Sequence, residues 1–87
     1  MKRAFFEELN EHQFHMYIET NRILAMRNVR EAFPDDPIAP DGVTWMVSGK
    51  YLRIDCQGER WYMLYTPEKI TAMEVLRERL EEKNKNA

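Results

Sequence analysis

The 87-residue sequence predicts a single α+β domain, with two helical segments packed on one side of a three-stranded antiparallel sheet. Three observations predict this class. Residues 2–33 contain neither proline nor glycine and are rich in helix-forming side chains. Three short runs of β-branched and aromatic residues follow, separated by glycine-containing turns. A proline-initiated amphipathic segment comes last, which gives the order α-β-β-β-α.

The first predicted element is one long N-terminal helix over residues 2–33, with an interruption allowed near Asn10. At 100° per residue this segment carries two apolar stripes instead of one. The natural core face comprises Phe14, Tyr17, Ile18, Leu24, Ala25, Val29 and Ala32. The second stripe lies roughly opposite and comprises Phe5, Leu9, Met16 and Ile23.

A proline-rich connector is predicted over residues 33–42, FPDDPIAPDG, which hold three prolines and three aspartates. It ends the helix and runs extended, because each residue before a proline disfavours the α conformation. The segment 43–65 follows as a meander, with strands Val43–Val47, Tyr51–Cys56 and Arg60–Tyr65. Alternation assigns to the helix-facing side Leu52, Ile54, Cys56, Trp61, Met63 and Tyr65. It assigns to the opposite side Tyr51, Arg53, Asp55, Arg60 and Tyr62.

The last predicted element is a helix over residues 67–82, followed by a frayed tail over 83–87. Thr66 is the expected N-cap, Pro67 occupies the first helical position and Glu68 lies near the positive end of the helix dipole. One apolar stripe faces the core and consists of Ile70, Met73, Leu76 and Leu80.

The composition bounds the class of protein. A body of this size has a thin core, so oligomerisation would stabilise it. The N-terminal residues turn acidic before any apolar run long enough for a signal peptide or a membrane span, which predicts a cytoplasmic protein with no membrane partner. The formal net charge of −2 gives no bulk electrostatic support for nucleic-acid binding, so any basic patch must be local.

Residues able to carry chemistry are few. His12 and His15 are neighbours on a helix with glutamates nearby, but their spacing fits no zinc or di-iron motif, so we expect solvated histidines and no metal site. Cys56, the single cysteine, alternates inward and is expected to be a small core residue. No glycine-rich phosphate loop is present. We therefore expect no catalytic residues, no cofactor and no small-molecule substrate.

The second helical stripe is the first candidate binding surface. An uncovered apolar stripe is unusual on a monomer, so it predicts a seam for another protein, either a second copy of the chain in a homodimer or a heterologous target. The alternative is that the sheet and the C-terminal helix cover it internally. The expected interface comprises Phe5, Leu9, Met16, Ile23, Arg27 and Arg30. This favours a small regulator or inhibitor that occupies a macromolecular partner.

The outward sheet face is the second candidate, because aromatic and cationic side chains interleave there and can stack on bases and contact phosphates. The residues expected to bind nucleic acid are Lys50, Tyr51, Arg53, Arg60 and Tyr62. The alternative is a solvent-facing surface with cross-strand Arg–Asp pairs.

Residues 42–76 carry the succession GVTW, GKY, GERW and TPEKITAM. In this order they resemble the three-stranded-sheet DNA-binding domains of the plant ethylene-response-factor type and the arm-binding domains of phage integrases. The resemblance implies that the sheet enters the major groove with Arg53 and Arg60 reading DNA and Lys50 and Tyr62 assisting. Met46, Asp55 and Glu59 stand where that family carries cations. The short chain and compact fold also suit a phage or mobile-element protein.

Overall fold

The computed structural model describes residues 3–23 and 27–85 and shows an α+β fold with a three-stranded antiparallel sheet and a C-terminal helix. This confirms the predicted class. The described elements, in chain order, are α1 Arg3–Glu7, α2 Glu11–Asn21, α3 Arg27–Glu31, β1 Val43–Ser48, β2 Tyr51–Cys56, β3 Glu59–Leu64 and α4 Pro67–Lys85.

The expected single helix over residues 2–33 is wrong, because the segment is divided into α1, α2 and α3. Asn10 begins α2 with a capping box: its side chain accepts the Gln13 N–H at 2.9 Å, and the Gln13 side chain accepts the Asn10 N–H at 2.9 Å. These reciprocal bonds satisfy amides that a continuous helix would have bonded to its preceding turn. Leu24 and Ala25, predicted for the core face, lie outside the described residues.

The chain leaves α2 to follow the edge of the sheet. Arg22 adopts an extended conformation, with φ −68° and ψ 132°, and forms an antiparallel bridge with Met63. The Ile23 N–H donates to the Tyr62 carbonyl at 2.7 Å. A backbone that pairs with a strand cannot continue as a helix, so this pairing explains why α2 ends here.

The sheet has the order β1-β2-β3, and both of its turns contain two residues. Ser48 pairs with Tyr51 across the first turn, and Cys56 pairs with Glu59 across the second. In the second turn Gln57 and Gly58 have φ of 47° and 86°, the left-handed backbone that primed hairpin turns require. The predicted meander is therefore present, with the third strand displaced by one residue.

The core lies between the sheet and the helices, as the alternation predicts for β2. Leu52, Ile54 and Met63 are fully buried against side chains of α1, α2 and α4. Tyr65 differs from the prediction, since it follows the end of β3 and is exposed. The buried residues of α4 include Lys69, Ala72, Met73, Val75 and Leu76. This helix continues to Lys85, so the frayed tail expected from residue 83 is helical up to that residue.

The connector between α3 and β1 covers part of the other sheet face. Phe33 is buried with its ring centroid 5.8 Å from that of Tyr62. The Gly58 N–H donates to the Ala39 carbonyl at 3.2 Å, and the Gln57 N–H donates to the Gly42 carbonyl at 3.0 Å. The connector is therefore fastened at both ends, and it places Asp36 over the middle of the sheet.

Candidate binding surfaces

The outward sheet face contains a cluster of two arginines and two aspartates. Arg53 on β2 donates through Nη1 to Asp36 Oδ1 at 2.7 Å and to the Pro34 carbonyl at 3.0 Å. Its side chain is only 6% exposed, whereas that of Asp36 is 45% exposed. The connector therefore covers Arg53 and supplies the oxygens that replace water around its guanidinium.

Arg60 on β3 joins the same cluster from the neighbouring strand. It forms a bidentate pair with Asp55, its direct cross-strand partner, through Nε to Oδ1 at 2.7 Å and Nη2 to Oδ2 at 2.8 Å. It also donates through Nη1 to the Asp36 carbonyl at 2.8 Å and through Nη2 to Asp36 Oδ1 at 3.0 Å. Asp36 thus contacts both arginines and links the connector to two strands.

The cluster shifts the pKa values of Asp36 and Arg60 in the direction that favours the charged form. The hydrogen bond from Arg53 holds the pKa of Asp36 below its usual range, and the charges of Arg53 and Arg60 act in the same direction. The hydrogen bond to Asp55 raises the pKa of Arg60 above its usual range. One donor remains unsatisfied: Arg53 Nε is buried 3.6 Å from Asp55 Oδ1, without a hydrogen-bond partner in the described part of the chain.

The expectation that Arg53 and Arg60 project from an open sheet face is wrong for the middle of the sheet. Arg53 and Asp55 are buried and the Arg60 side chain is only 9% exposed, and aspartate and carbonyl oxygens of the connector pair with both guanidinium groups. The other residues expected to bind nucleic acid are more accessible. Tyr51 is half-buried with the Lys50 ammonium 5.5 Å from its ring centroid, and Tyr62 is half-buried beneath Phe33.

The N-terminal seam, predicted as the apolar stripe of Phe5, Leu9, Met16 and Ile23, is interrupted because the expected single helix is divided into α1, α2 and α3. Phe5 on α1 is 47% exposed and Met16 on α2 is 51% exposed. Leu9 lies between the two helices and packs partly against the core. Ile23 lies beyond α2 and is half-buried where it pairs with β3. The four residues therefore do not form one helical stripe, although two of them present large apolar side chains to solvent.

The two arginines predicted beside the seam lie instead at the β3 side of the molecule. Arg27 and Arg30 are both exposed on α3, and Arg27 pairs with Glu31 at 3.0 Å. A groove of about 580 Å³ is lined by residues of α3, the connector and β3, including Arg27, Arg30, Arg60 and Tyr62. A second groove of about 330 Å³ shares Arg30, Arg60 and Tyr62 and adds Arg22. This side of the fold collects cations beside aromatic rings, with Glu31, Asp35 and Glu59 in the same groove linings.

Exposed apolar side chains also collect at the end of the sheet that contains the Gly49–Lys50 turn. Met46 and Val47 on β1 are exposed there, as are Leu64 at the end of β3 and the adjacent Tyr65. Tyr51, directly opposite Leu64, is half-buried at the same end. The sequence indicated β-strands here but gave no sign that this end would lack a cover.

The histidines and the cysteine occupy different environments. His12 and His15 are exposed on α2, and His15 Nε2 lies 3.5 Å from Glu19 Oε1. They border a groove of about 440 Å³ whose lining also includes Trp61 and Cys56. Burial raises the pKa of the Cys56 thiol to about 11, so it is protonated at neutral pH. Within residues 3–23 and 27–85, no three His, Cys, Asp or Glu side chains are grouped to hold a metal ion.

Two contributors to these surfaces were not singled out from the sequence. Asp36 is one of three aspartates in the connector, and no local sequence signal distinguishes it as the one that contacts Arg53. Arg77 on α4 lies 4.4 Å from the Trp45 ring centroid and covers this β1 side chain. Its position on the helix was readable, but its partner depends on how α4 crosses the sheet.

No family model, no curated protein and no solved structure matches this chain. None of the helices in the described part of the chain has the length and apolar character needed to cross a membrane.

Proposed function

We propose that this chain is a non-catalytic binding protein that acts by contacting another protein, with Phe5 and Met16 as apolar contact residues on its N-terminal helices. Leu9 and Ile23 would contribute their accessible parts at the margins. The role that fits such a surface is a regulator or inhibitor that occupies its target.

The exposure of Phe5 and Met16 is the observation that carries this proposal. Their chain neighbours Phe6 and Tyr17 contact each other with ring centroids 5.4 Å apart, and Phe6 is fully buried in the core. Phe5 meets the core through an edge contact with the Phe6 ring, with ring centroids 5.2 Å apart, and about half of its surface stays open to solvent. Covering the exposed half of each side chain at an interface is worth about 1 kcal/mol before the ordering cost of association.

Site-specific photo-crosslinking in the source cells tests the proposal. A photoreactive amino acid is placed at Phe5 or at Met16, and the expected result is a discrete covalent adduct with the same second protein from both positions. Placing it at Asn84, which is exposed on the far end of α4, is the matched control and should give no such adduct.

A charge at one position should then abolish the adduct formed from the other. Phe5→Glu should remove crosslinking from position 16, whereas Asn84→Glu adds the same charge elsewhere and should not. Adducts of equal yield from positions 5, 16 and 84, or none from positions 5 and 16, would contradict the proposal.

Nucleic-acid binding is the second candidate, and the arginine-lined grooves beside β3 favour it. Arg30 lines both grooves and forms no ion pair within the described residues, so its charge is available to a phosphate. The two arginines that the resemblance would assign to base reading are already paired with carboxylates. DNA contact through Arg53 and Arg60 would therefore require the connector to leave the sheet.

Titration with duplex DNA at low salt tests whether the connector blocks DNA binding by Arg53 and Arg60. If the connector competes with DNA, Asp36→Ala should bind duplex more tightly than the wild-type chain, with a steeper salt dependence. Arg53→Ala in the same background should reverse the gain. No duplex binding by Asp36→Ala at low salt would end the nucleic-acid candidate.

A further inference from the structure

In the part of the chain that the structure describes, the segments outside the sheet form hydrogen bonds with the backbone of one edge strand, β3, but not with that of the other, β1. At β3, Arg22 forms a bridge with Met63, and the Ile23 N–H donates to the Tyr62 carbonyl. Further along the same edge, the Leu64 carbonyl accepts a bond from the Lys69 ammonium at 2.7 Å. The chain itself therefore occupies two outward carbonyls of β3, those of Tyr62 and Leu64, which hinders another strand from pairing along this part of the edge.

The β1 edge has no such cover. In a two-residue hairpin the pair that closes the turn is hydrogen-bonded, so Ser48, Met46 and Thr44 direct their backbone groups to β2. The intervening residues Val47 and Trp45 direct theirs away from the sheet. The same parity on β3 makes Tyr62 an outward residue, in agreement with its bond to Ile23. Within the described residues, the backbone of Trp45 and Val47 has no hydrogen-bond partner on this outer side.

The side chains of β1 suit pairing with an identical strand. Its sequence, VTWMVS, contains no charge and no proline, which are the usual devices that prevent edge pairing. In an antiparallel pair about a two-fold axis, the residue on the axis meets its own copy and every other residue meets a different residue of the same strand. No residue of β1 is charged, so no like charges are brought together. The exposed apolar side chains of the strand, Met46 and Val47, also adjoin the open backbone groups.

We propose that two copies of this chain associate through β1, antiparallel about a two-fold axis at Met46, to form a continuous six-stranded sheet. Trp45 then pairs with Val47 of the second copy by backbone hydrogen bonds. The two Met46 side chains lie opposite each other in the non-hydrogen-bonded pair between them. This goes beyond the proposed function, because it uses the sheet edge instead of the N-terminal helices.

Solution molar mass and disulfide trapping test the pairing together. The wild-type chain should have twice its 10.5 kDa mass by light scattering. Met46→Cys should give a disulfide-linked dimer under mild oxidation, because Cα atoms opposite each other in such a pair are about 4.5 Å apart. Leu64→Cys is the matched control: it is similarly exposed but lies two strands away, and it should crosslink at least about tenfold more slowly.

Two edge variants complete the test. Val47→Lys should be monomeric with an unchanged circular dichroism spectrum, because a lysine at an edge blocks pairing and this side chain is already exposed. If that variant fails to fold, Val47→Pro removes the outward N–H without touching the β1–β2 ladder. Met16→Glu should remain dimeric. A monomeric wild-type chain, a dimer unaffected at Val47, or equal trapping at positions 46 and 64 would overturn the proposal.

Discussion

Asp36 Oδ1 accepts hydrogen bonds from Arg53 Nη1 at 2.7 Å and from Arg60 Nη2 at 3.0 Å, so one connector carboxylate holds guanidinium groups from two adjacent strands. This relationship decides what the outward sheet face can do. The two arginines are used for folding the connector onto the sheet, and the accessible surfaces of the molecule lie elsewhere.

The buried part of this cluster should be a large contributor to stability. Asp55→Asn should lower the free energy of unfolding by about 3–5 kcal/mol, because it leaves Arg60 and Arg53 buried with one carboxylate fewer. Urea denaturation measures the change. Asp35→Asn, one residue before Asp36 and exposed, is the control and should leave the midpoint unchanged. Equal midpoints for all three proteins would show that the cluster does not support the fold.

Acid should weaken the connector through Asp36. Its pKa is lowered in the folded state, so its contribution to stability is present above the unfolded pKa of about 3.9 and is lost as the pH falls through the folded value. The stability difference between wild type and Asp36→Asn should therefore be constant from neutral pH down to about pH 5 and shrink at lower pH. Urea titrations at several pH values measure it, and a difference that grows on acidification would contradict the assignment.

The thiol of Cys56 should be nearly inert in the folded chain. Burial raises its pKa to about 11, so little thiolate exists at pH 8 and the reagent has no direct access. Labelling with a thiol-specific reagent should be slow in buffer and rapid in denaturant. Leu64→Cys supplies an exposed comparison thiol in the same protein. Equal labelling rates at the two cysteines in buffer would place Cys56 at the surface.

The break between α1 and α2 should depend on the capping box. Asn10→Ala removes the acceptor of the Gln13 N–H and should cost about 0.5–2 kcal/mol in the free energy of unfolding. Asn10→Ser retains an acceptor of suitable length and should restore most of the loss. Thermal denaturation followed by circular dichroism compares the three proteins. A chain made more stable by Asn10→Ala would indicate that α1 and α2 prefer to be continuous.

Local signals explain which parts of the fold could be predicted from the sequence. The meander follows from glycine-containing turns between β-forming runs, and the start of α4 follows from Thr66 and Pro67, because each signal acts within a few residues. The capping box at Asn10 is equally local. The sequence allows an interruption near Asn10, but the lack of proline and glycine in residues 2–33 favours one long helix across it.

Whether the outward sheet face is covered or open could not be predicted in the same way. Alternation correctly separates Arg53 from Leu52 and Ile54, but it says nothing about what covers either side. Asp36 is 17 residues from Arg53 and 24 from Arg60 along the chain, so their contacts depend on the path of the connector in three dimensions. The openness of the β1 edge likewise depends on which sheet edge the rest of the chain contacts, and no local sequence signal indicates that.

Amide hydrogen exchange in β1 tests most directly the central claim of self-association, that two copies of this chain pair through the β1 edge. In the paired sheet the Trp45 and Val47 amides are bonded across the two-fold axis, whereas the Met46 amide bonds to β2 and serves as an internal reference. The account predicts that Trp45 and Val47 are protected at high protein concentration and exchange freely on dilution, while Met46 stays protected throughout. Free exchange of Trp45 and Val47 at every concentration would contradict it.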